Sequence, residues 1–351
     1  MKINTFLRLK NLYLKLPAFL QEPAGNIIYS RNIKIAFKRF LTKEELGDKH
    51  LMRELEQDIW ACRKKYRTKP EEYFLYGFRG MSEKERATFL PDLVKDTIMK
   101  KLVGFDVYNR ELKNKFHFYQ LAGKWFGREA MLLSGGGNLL QFKEFSQKHP
   151  DLFIKSNMLS KGRGTGLYHV SNDEEAEKLY KRFEQEGGEW IVEEKIEQDS
   201  QMGQWNESSV NTVRLPAVLN SDKWTVIGPF FRTGRRGSVV DNAGAGGVFA
   251  CIDPLSGIIK TDGIDEEGHY YPAHPDSGLA FKGWQIPYWK ELLNMAEEIQ
   301  RSMPHHKYVG WDFALTKKGW ILIEGNWGQF VSQYNDHIGL KKQFFTLLGV
   351  E

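Results

Sequence analysis

VGWDFALTKKGWILIEGN, residues 309–326, consists of two apolar runs joined by Lys317-Lys318-Gly319. With a three-residue loop that has Gly319 in the left-handed position, Thr316 pairs with Trp320 and, counting outward, Asp312 falls directly opposite Glu324. Asn326 then lies on the same face. Opposed cross-strand residues have Cβ atoms about 4.5–5.5 Å apart, a separation at which like charges repel unless a cation sits between them. Two carboxylates and an amide oxygen, with no His or Cys among them, form an oxygen-only set suited to Mg²⁺ shared with substrate phosphates. A solvated strand edge also carries charges, but Trp311, Phe313, Leu322 and Ile323 make these strands too apolar for one.

A bound Mg²⁺ of that kind implies a nucleotide, and the rest of the chain can be read for one. At 351 residues there is material for one large or two to three small domains and a sizeable core. A formal charge of +5 is mild for this length and does not argue for nucleic acid. Cys62 and Cys251 are too few and too far apart for a disulfide framework or a zinc site, which fits a reducing cytosol. There is no uncharged apolar run of about 20 residues and no signal-peptide core, so a cytoplasmic location is expected. Residues 1–20 carry Phe6, Leu9, Tyr13 and Leu16 at helical spacing, with Lys2, Arg8, Lys10 and Lys15 around them. Such a stripe packs on the domain behind it or, in a second reading, lies on the inner face of an anionic membrane. Residues 42–111 read as helical and charged, with a capping-box pattern at Ser82 and Glu85.

The second informative stretch is FIKSNMLSKGRGTGLYHV, residues 153–170. It reads as a strand ending at Lys155, a loop with Gly162, Gly164 and Gly166, and a strand over Leu167–Val170. A Walker loop needs Gly-Lys-Ser/Thr opening a helix, and a dinucleotide fingerprint needs its glycines between strand and helix, so neither fits. A glycine hairpin can instead close its backbone N–H groups over phosphates, with Lys155, Lys161 and Arg163 adding positive charge. The alternative is a flexible surface hairpin. A helix capped by Ser171 and Glu174 and broken at Gly187-Gly188 follows, then a strand over Trp190–Ile196.

A lysine strand, a glycine hairpin, a helix, a strand ending Glu-Glu-Lys-Ile and a late Asp…Glu-x-Asn set, in that order, resemble the ATP-grasp fold over roughly residues 100–330. SSVNTVRLPAV (208–218), FFRTGRRGSVVDNAGAGGVFACIDPLSG (230–257) and HPDSGLAFKGWQIPYW (274–289), together with 309–326, are similar to the ATP-grasp proteins associated with sugar transfer in surface-polysaccharide gene clusters. The resemblance implies an α+β chain with two α+β subdomains clasping ATP. The expected division is a helical region over 1–99, a glycine-hairpin subdomain over 100–190 and a metal and substrate subdomain over 191–351.

The same resemblance makes Lys155 the phosphate lysine and Lys115 its earlier partner. Asn114 stands where the family has Asp, which leaves Lys113 and Lys124 as rivals to Lys115. Lys161, Gly162, Gly164 and Gly166 would cover the phosphates. Glu193 and Glu194, with the backbone of Lys195 and Ile196, would read the adenine, and Gln198 or Gln201 would serve the ribose. Asp312, Glu324 and Asn326 match the family's metal ligands.

The reacting groups are read from residue type. A carboxylate activated as an acyl phosphate needs cations to hold it, and Arg214, Arg232 and Arg235 or Arg236 lie on or beside strands entering the expected cleft. Asn211 and Asp241 are added as catalytic candidates, Asp241 opening the glycine-rich turn 241–247. His269, His274, His305 and His306 have no nucleophile partner in the sequence and read as surface or substrate-rim residues. The expected function is an ATP-dependent, ADP-forming carboxylate–amine ligase with ATP and Mg²⁺ as cofactors. Its expected partners are an anionic sugar or sugar acid of cell-surface polysaccharide biosynthesis and an amine acceptor, with no nucleic acid. A kinase acting on a hydroxyl, or a non-catalytic nucleotide sensor, is the alternative.

Overall fold

A computed structural model describes residues 18–134, 138–158, 165–238, 241 and 246–350. The expected helix over 1–20 is largely outside these residues, as are Lys161, Gly162, Arg163, Gly164 and positions 242–245 of the glycine-rich turn. The chain divides into two compact units, one ending at Val94 and the other starting at Lys95.

The first unit is helical. Helices Ala18–Phe40, Lys49–Tyr66 and Pro70–Leu75 bury Ile33, Phe37, Leu55, Ile59 and Tyr73. Asp58 takes both forks of Arg86, at 2.6 and 2.8 Å, and accepts the Tyr73 hydroxyl at 2.7 Å. The expected capping box closes reciprocally between Ser82 and Glu85 and starts helix Glu83–Arg86.

The second unit is α+β and holds two sheets, antiparallel throughout. The smaller has the order β1-β4-β2-β3, formed by β1 (Ala130–Ser134), β2 (Asp151–Ser156), β3 (Gly166–His169) and β4 (Glu189–Glu194). Helices Leu139–Lys148 and Asp173–Glu186 bury Phe142, Ala176, Tyr180 and Phe183 against Leu152, Ile154 and Val192. Ala176, Tyr180 and Phe183 recur at the spacing of one helix face, and each such burial stabilises by about 1.5–3 kcal/mol for the larger side chains. The helix cap is Asn172, whose side chain accepts from Glu175 N at 3.0 Å, one residue later than the expected Ser171. Ser171 instead donates its backbone N–H to the Glu175 carboxylate at 2.8 Å. β4 ends at Glu194 and completes the small sheet past the expected 190/191 division.

The larger sheet has the order β10-β9-β8-β7-β5-β11-β12, with β6 (Lys223–Val226) pairing on β5. Its other strands are β5 (Thr212–Asn220), β7 (Phe230–Thr233), β8 (Val248–Cys251), β9 (Gly263–Ile264), β10 (Tyr270–Tyr271), β11 (Tyr308–Thr316) and β12 (Gly319–Asn326). Helix Trp289–Ser302 lays Leu292, Ala296 and Ile299 on a core with Val213, Leu215, Phe231 and Trp311.

The β11–β12 hairpin differs in its turn from the expected one. Thr316 pairs with Gly319, not Trp320, so the loop is the two residues Lys317-Lys318, with Gly319 at φ 112°. That shift alone would move every partner by one residue. A β-bulge between Asp312 and Phe313 adds one residue on β12 and restores the offset, so Asp312 still stands opposite Glu324.

Candidate functional site

Three strands set a row of charge across the larger sheet. On β5, Arg214 faces Asp312 of β11, and Asp312 faces Glu324 of β12. Arg214 bonds both oxygens of Asp312 through Nε and Nη2, places Nη1 3.3 Å from Asn326 Oδ1, and lies 3.9 Å from Glu324 Oε1. The oxygens expected around a metal ion therefore converge on one cation, the guanidinium of Arg214. Space for it is made by glycine: a Cβ on Gly328 would come within 2.5 Å of Arg214 Nη1 and 2.7 Å of Asn326 Oδ1. The donors are oxygen-only and already gathered on a positive charge, so the set fits a hard cation. Asp312 is buried, which raises its pKa, but Arg214 and Arg232 outweigh burial and hold the carboxyl below its usual range.

Arg232 belongs to the same cluster. Opposite Thr212 on β7, it places Nη2 3.1 Å from Asp312 Oδ2 and donates Nε to Thr212 Oγ1 at 2.9 Å. Asp241 lies 3.4 Å from Arg232 Nε and accepts the Thr212 hydroxyl. Thr212 was missed by the sequence reading; two-residue alternation from Arg214 along β5 puts it on the same face, and that was the available signal.

The lysines sit on the small sheet's side of the second unit. Lys155 on β2 is buried and reaches 2.9 Å from Glu193 Oε1, as an ion pair without hydrogen-bond alignment. Glu193 Oε2 accepts from Arg128 Nε and Nη2 at 3.3 and 3.2 Å. Arg128 also donates to the carbonyls of Phe126 and Leu322, at 3.1 and 2.8 Å. Burial raises the Glu193 pKa, and the two cations more than reverse it. Arg128 was also missed, although a glutamate inside the apolar strand Trp190–Ile196 calls for a second buried cation.

Lys115 opens helix Lys115–Ala122, which Asn114 caps by accepting from His117 N at 3.0 Å. Its Nζ donates to Ser156 O and Asn157 O at 3.1 and 3.4 Å. Burial, with Lys155 and Lys113 nearby, outweighs Glu324 and Glu193 and lowers the Lys115 pKa to about 8. The two lysines, Glu193 and Glu324 thus share one electrostatic neighbourhood. The rival Lys124 is elsewhere, 2.9 Å from Glu298. Lys95, a third residue the sequence did not flag, is buried and holds the carbonyls of Trp327 and Gly328 at 2.8 and 2.6 Å, just beyond Asn326.

Other expected site residues are placed differently. Asn211 is fully buried, and its amide donates to Gln198 Oε1, Met202 O and Asn206 O, at 3.1, 2.9 and 2.8 Å. It ties down the 198–206 loop. Gln198, a ribose candidate, is spent on that loop too, donating to Asn206 O and Ser209 O at 3.0 Å each. Gln201 is exposed. Arg235 forks onto Asp276 at 2.8 and 3.1 Å, and Arg236 donates its backbone N–H there at 2.8 Å, so neither joins Arg214 and Arg232. At the end of β4, Glu194 N is bonded to Glu129 O at 3.0 Å and Lys195 N to Asp151 O at 3.1 Å, with Ile196 next in the chain. Glu194 Oε2 accepts from Glu129 N at 3.2 Å. Gly166 opens β3 opposite Ile154.

The histidines correct the surface assignment in part. His274 is buried and lies 3.0 Å from Gly234 O, and His306 is wholly buried beside Glu111. Burial and the neighbouring His305 lower the His306 pKa to about 4. Among the described residues no helix is long and apolar enough to cross a membrane.

No curated protein matches the chain. Among solved structures it is similar to the D-alanine–D-alanine ligase of Coxiella burnetii, with 12% identity, a TM-score of 0.38, and 63% of this chain and 49% of that one covered. An N5-carboxyaminoimidazole synthase from Aspergillus clavatus in complex with ADP gives 10% identity, a TM-score of 0.39 and coverages of 70% and 53%. The phosphoribosylamine–glycine ligase of Thermotoga maritima gives 13%, 0.40, and 62% and 48%. The chain spans about half the length of these structures, and superpositions this loose carry no argument about the reaction. The sequence profile of the sugar-transfer associated ATP-grasp proteins, by contrast, matches residues 109–343, which take in both lysines, Glu193, both arginines and the Asp312–Glu324–Asn326 set, and the chain belongs to that family.

Proposed function

We infer that this protein is an ATP-dependent ligase that activates a carboxylate as an acyl phosphate and passes it to an amine or related nucleophile. The carboxylate would belong to a sugar or sugar acid of cell-surface polysaccharide biosynthesis, as the family's association with sugar transfer suggests. The observation that carries the reading is the convergence of Arg214 and Arg232 on Asp312, beside Glu324 and Asn326, with Lys115 and Lys155 in the same electrostatic neighbourhood.

Each group has a task that its surroundings permit. Lys155, which now neutralises Glu193, and Lys115, resting on two carbonyls, would turn to the phosphates, while Arg128 keeps Glu193 compensated. The end of β4 and the residues after it, Glu193 to Ile196, would meet the adenine. When bound, Mg²⁺ would be held by Asp312, Glu324 and Asn326 and would neutralise phosphate charge. Arg232, set by Thr212 and Asp241, would grip the carboxylate and then the acyl-phosphate oxygens, because a guanidinium offers two parallel donors to such groups. The carboxylate oxygen attacks the γ-phosphorus and ADP leaves. The amine then attacks the acyl carbon, loses a proton and expels inorganic phosphate.

A screen of uronic acids and amino acids, coupled to release of ADP and phosphate, tests this. With ¹⁸O in the acceptor carboxylate, one labelled oxygen must appear in the released phosphate. Label retained in a phosphorylated sugar would replace the ligase by a kinase.

A further inference from the structure

Away from these groups, a second cluster of Lewis bases joins two distant segments. Glu111 lies in the π-helical turn Asn109–Lys113, and His305 and His306 lie in the turn between helix Trp289–Ser302 and β11. Both imidazole Nε2 atoms point at one oxygen, Glu111 Oε2, His305 from 2.5 Å and His306 from 3.1 Å. The other oxygen, Oε1, is held by Arg110 at 2.7 Å, which orients the carboxylate and keeps Oε2 turned to the rings. The rings are 4.4 Å apart, so two imidazole nitrogens and one carboxylate oxygen from segments distant in the chain meet at a single point. His306 is wholly buried, its Nδ1 has no hydrogen-bond partner among the described residues, and Glu111 holds the ring through Nε2. His305 is half exposed and gives an ion a way in from solvent.

We propose that Glu111 Oε2, His305 Nε2 and His306 Nε2 form a site for a borderline divalent ion of the zinc type, with water as fourth ligand. The three atoms all lie within 4.8 Å of one another, against an edge of about 3.4 Å for tetrahedral zinc with bonds near 2.1 Å, so small side-chain rotations complete the geometry. Two imidazoles and a carboxylate select zinc over Mg²⁺, which takes oxygen ligands. The ion would pin the turn ahead of Lys115 to the turn feeding β11, the strand that carries Asp312. Its role would be structural, and it stands whether or not the ligase reading does.

The test is Zn²⁺ titration of the metal-stripped full-length chain by calorimetry, in millimolar Mg²⁺ so that the oxygen-only set is already filled. One zinc per chain should bind, with a rise in Tm. His305→Ala, at a half-exposed position, should weaken zinc at least about tenfold while the metal-free Tm stays put, and Glu111→Gln should do the same. Asp312→Asn should bind zinc as the parent does. No binding at one equivalent, or equal affinity in parent and His305→Ala, would overturn the site and leave Glu111 a hydrogen-bonded clamp.

Discussion

Arg214 and Asp312 stand directly opposite each other on paired strands, and the guanidinium takes both carboxylate oxygens. Removing one partner of a buried pair leaves the other uncompensated, at about 3–5 kcal/mol. Arg232 still lies 3.1 Å from Asp312, so Arg214→Met should fall at the low end of that range in urea unfolding. A loss below about 1 kcal/mol, the size of an exposed pair, would show that the contact is not a buried one.

Glu324 and Asp312 should respond differently to neutralisation. Glu324→Gln removes a charge from a side chain that is 33% exposed and touches Arg214 only at 3.9 Å, so turnover should vanish with little change in Tm. Asp312→Asn should also abolish turnover but lower Tm, because Arg214 and Arg232 lose the buried carboxylate they share. Full activity in either variant would remove these residues from the metal set.

Lys115 gives a pH dependence. With its pKa lowered to about 8 from the ordinary lysine value of 10.5, the folded chain binds fewer protons than the unfolded one between those values, so stability rises with pH across that window. Affinity for ATP should run the other way and fall as pH passes above about 8, because a neutral amine no longer attracts phosphate. Lys115→Met should flatten both profiles; an unchanged profile would show that another group titrates.

The fold was legible where sequence carries its own period or turn chemistry, as in the alternating strands around Asp312 and the capping box at Ser82. Asp312 opposite Glu324 was reached by counting through a turn that differs in length, and the bulge restored the offset. Neither event leaves a sign in residue types. The opposed carboxylates were expected to share a metal ion, and the cation beside them in the structure is Arg214, brought by a strand about 100 residues earlier in the chain. Arg128 and Lys95 were missed for the same reason: their partners, Glu193, Leu322 O and Trp327 O, are remote in sequence. The bonding of Asn211 to the 198–206 loop was not legible, because an asparagine bonding a neighbouring loop and one facing a substrate look alike in a sequence.

Arg232→Lys keeps the charge and loses the fork that spans Thr212 and Asp312. It should lower kcat by about an order of magnitude or more with ATP affinity nearly unchanged. A loss confined to ATP affinity would move Arg232 to the nucleotide.

The central claim, that Lys155 and the groups around it hold Mg·ATP, is tested most directly by calorimetry of Mg·ATP binding to the parent chain and to Lys155→Ala. A desolvated contact between a charged donor and phosphate is worth roughly 1.5–3 kcal/mol, so Lys155→Ala should bind about ten- to a hundredfold more weakly, with Arg128 keeping Glu193 paired and the fold intact. Equal affinity in the two proteins, or no binding of Mg·ATP to the parent at millimolar concentration, would contradict it.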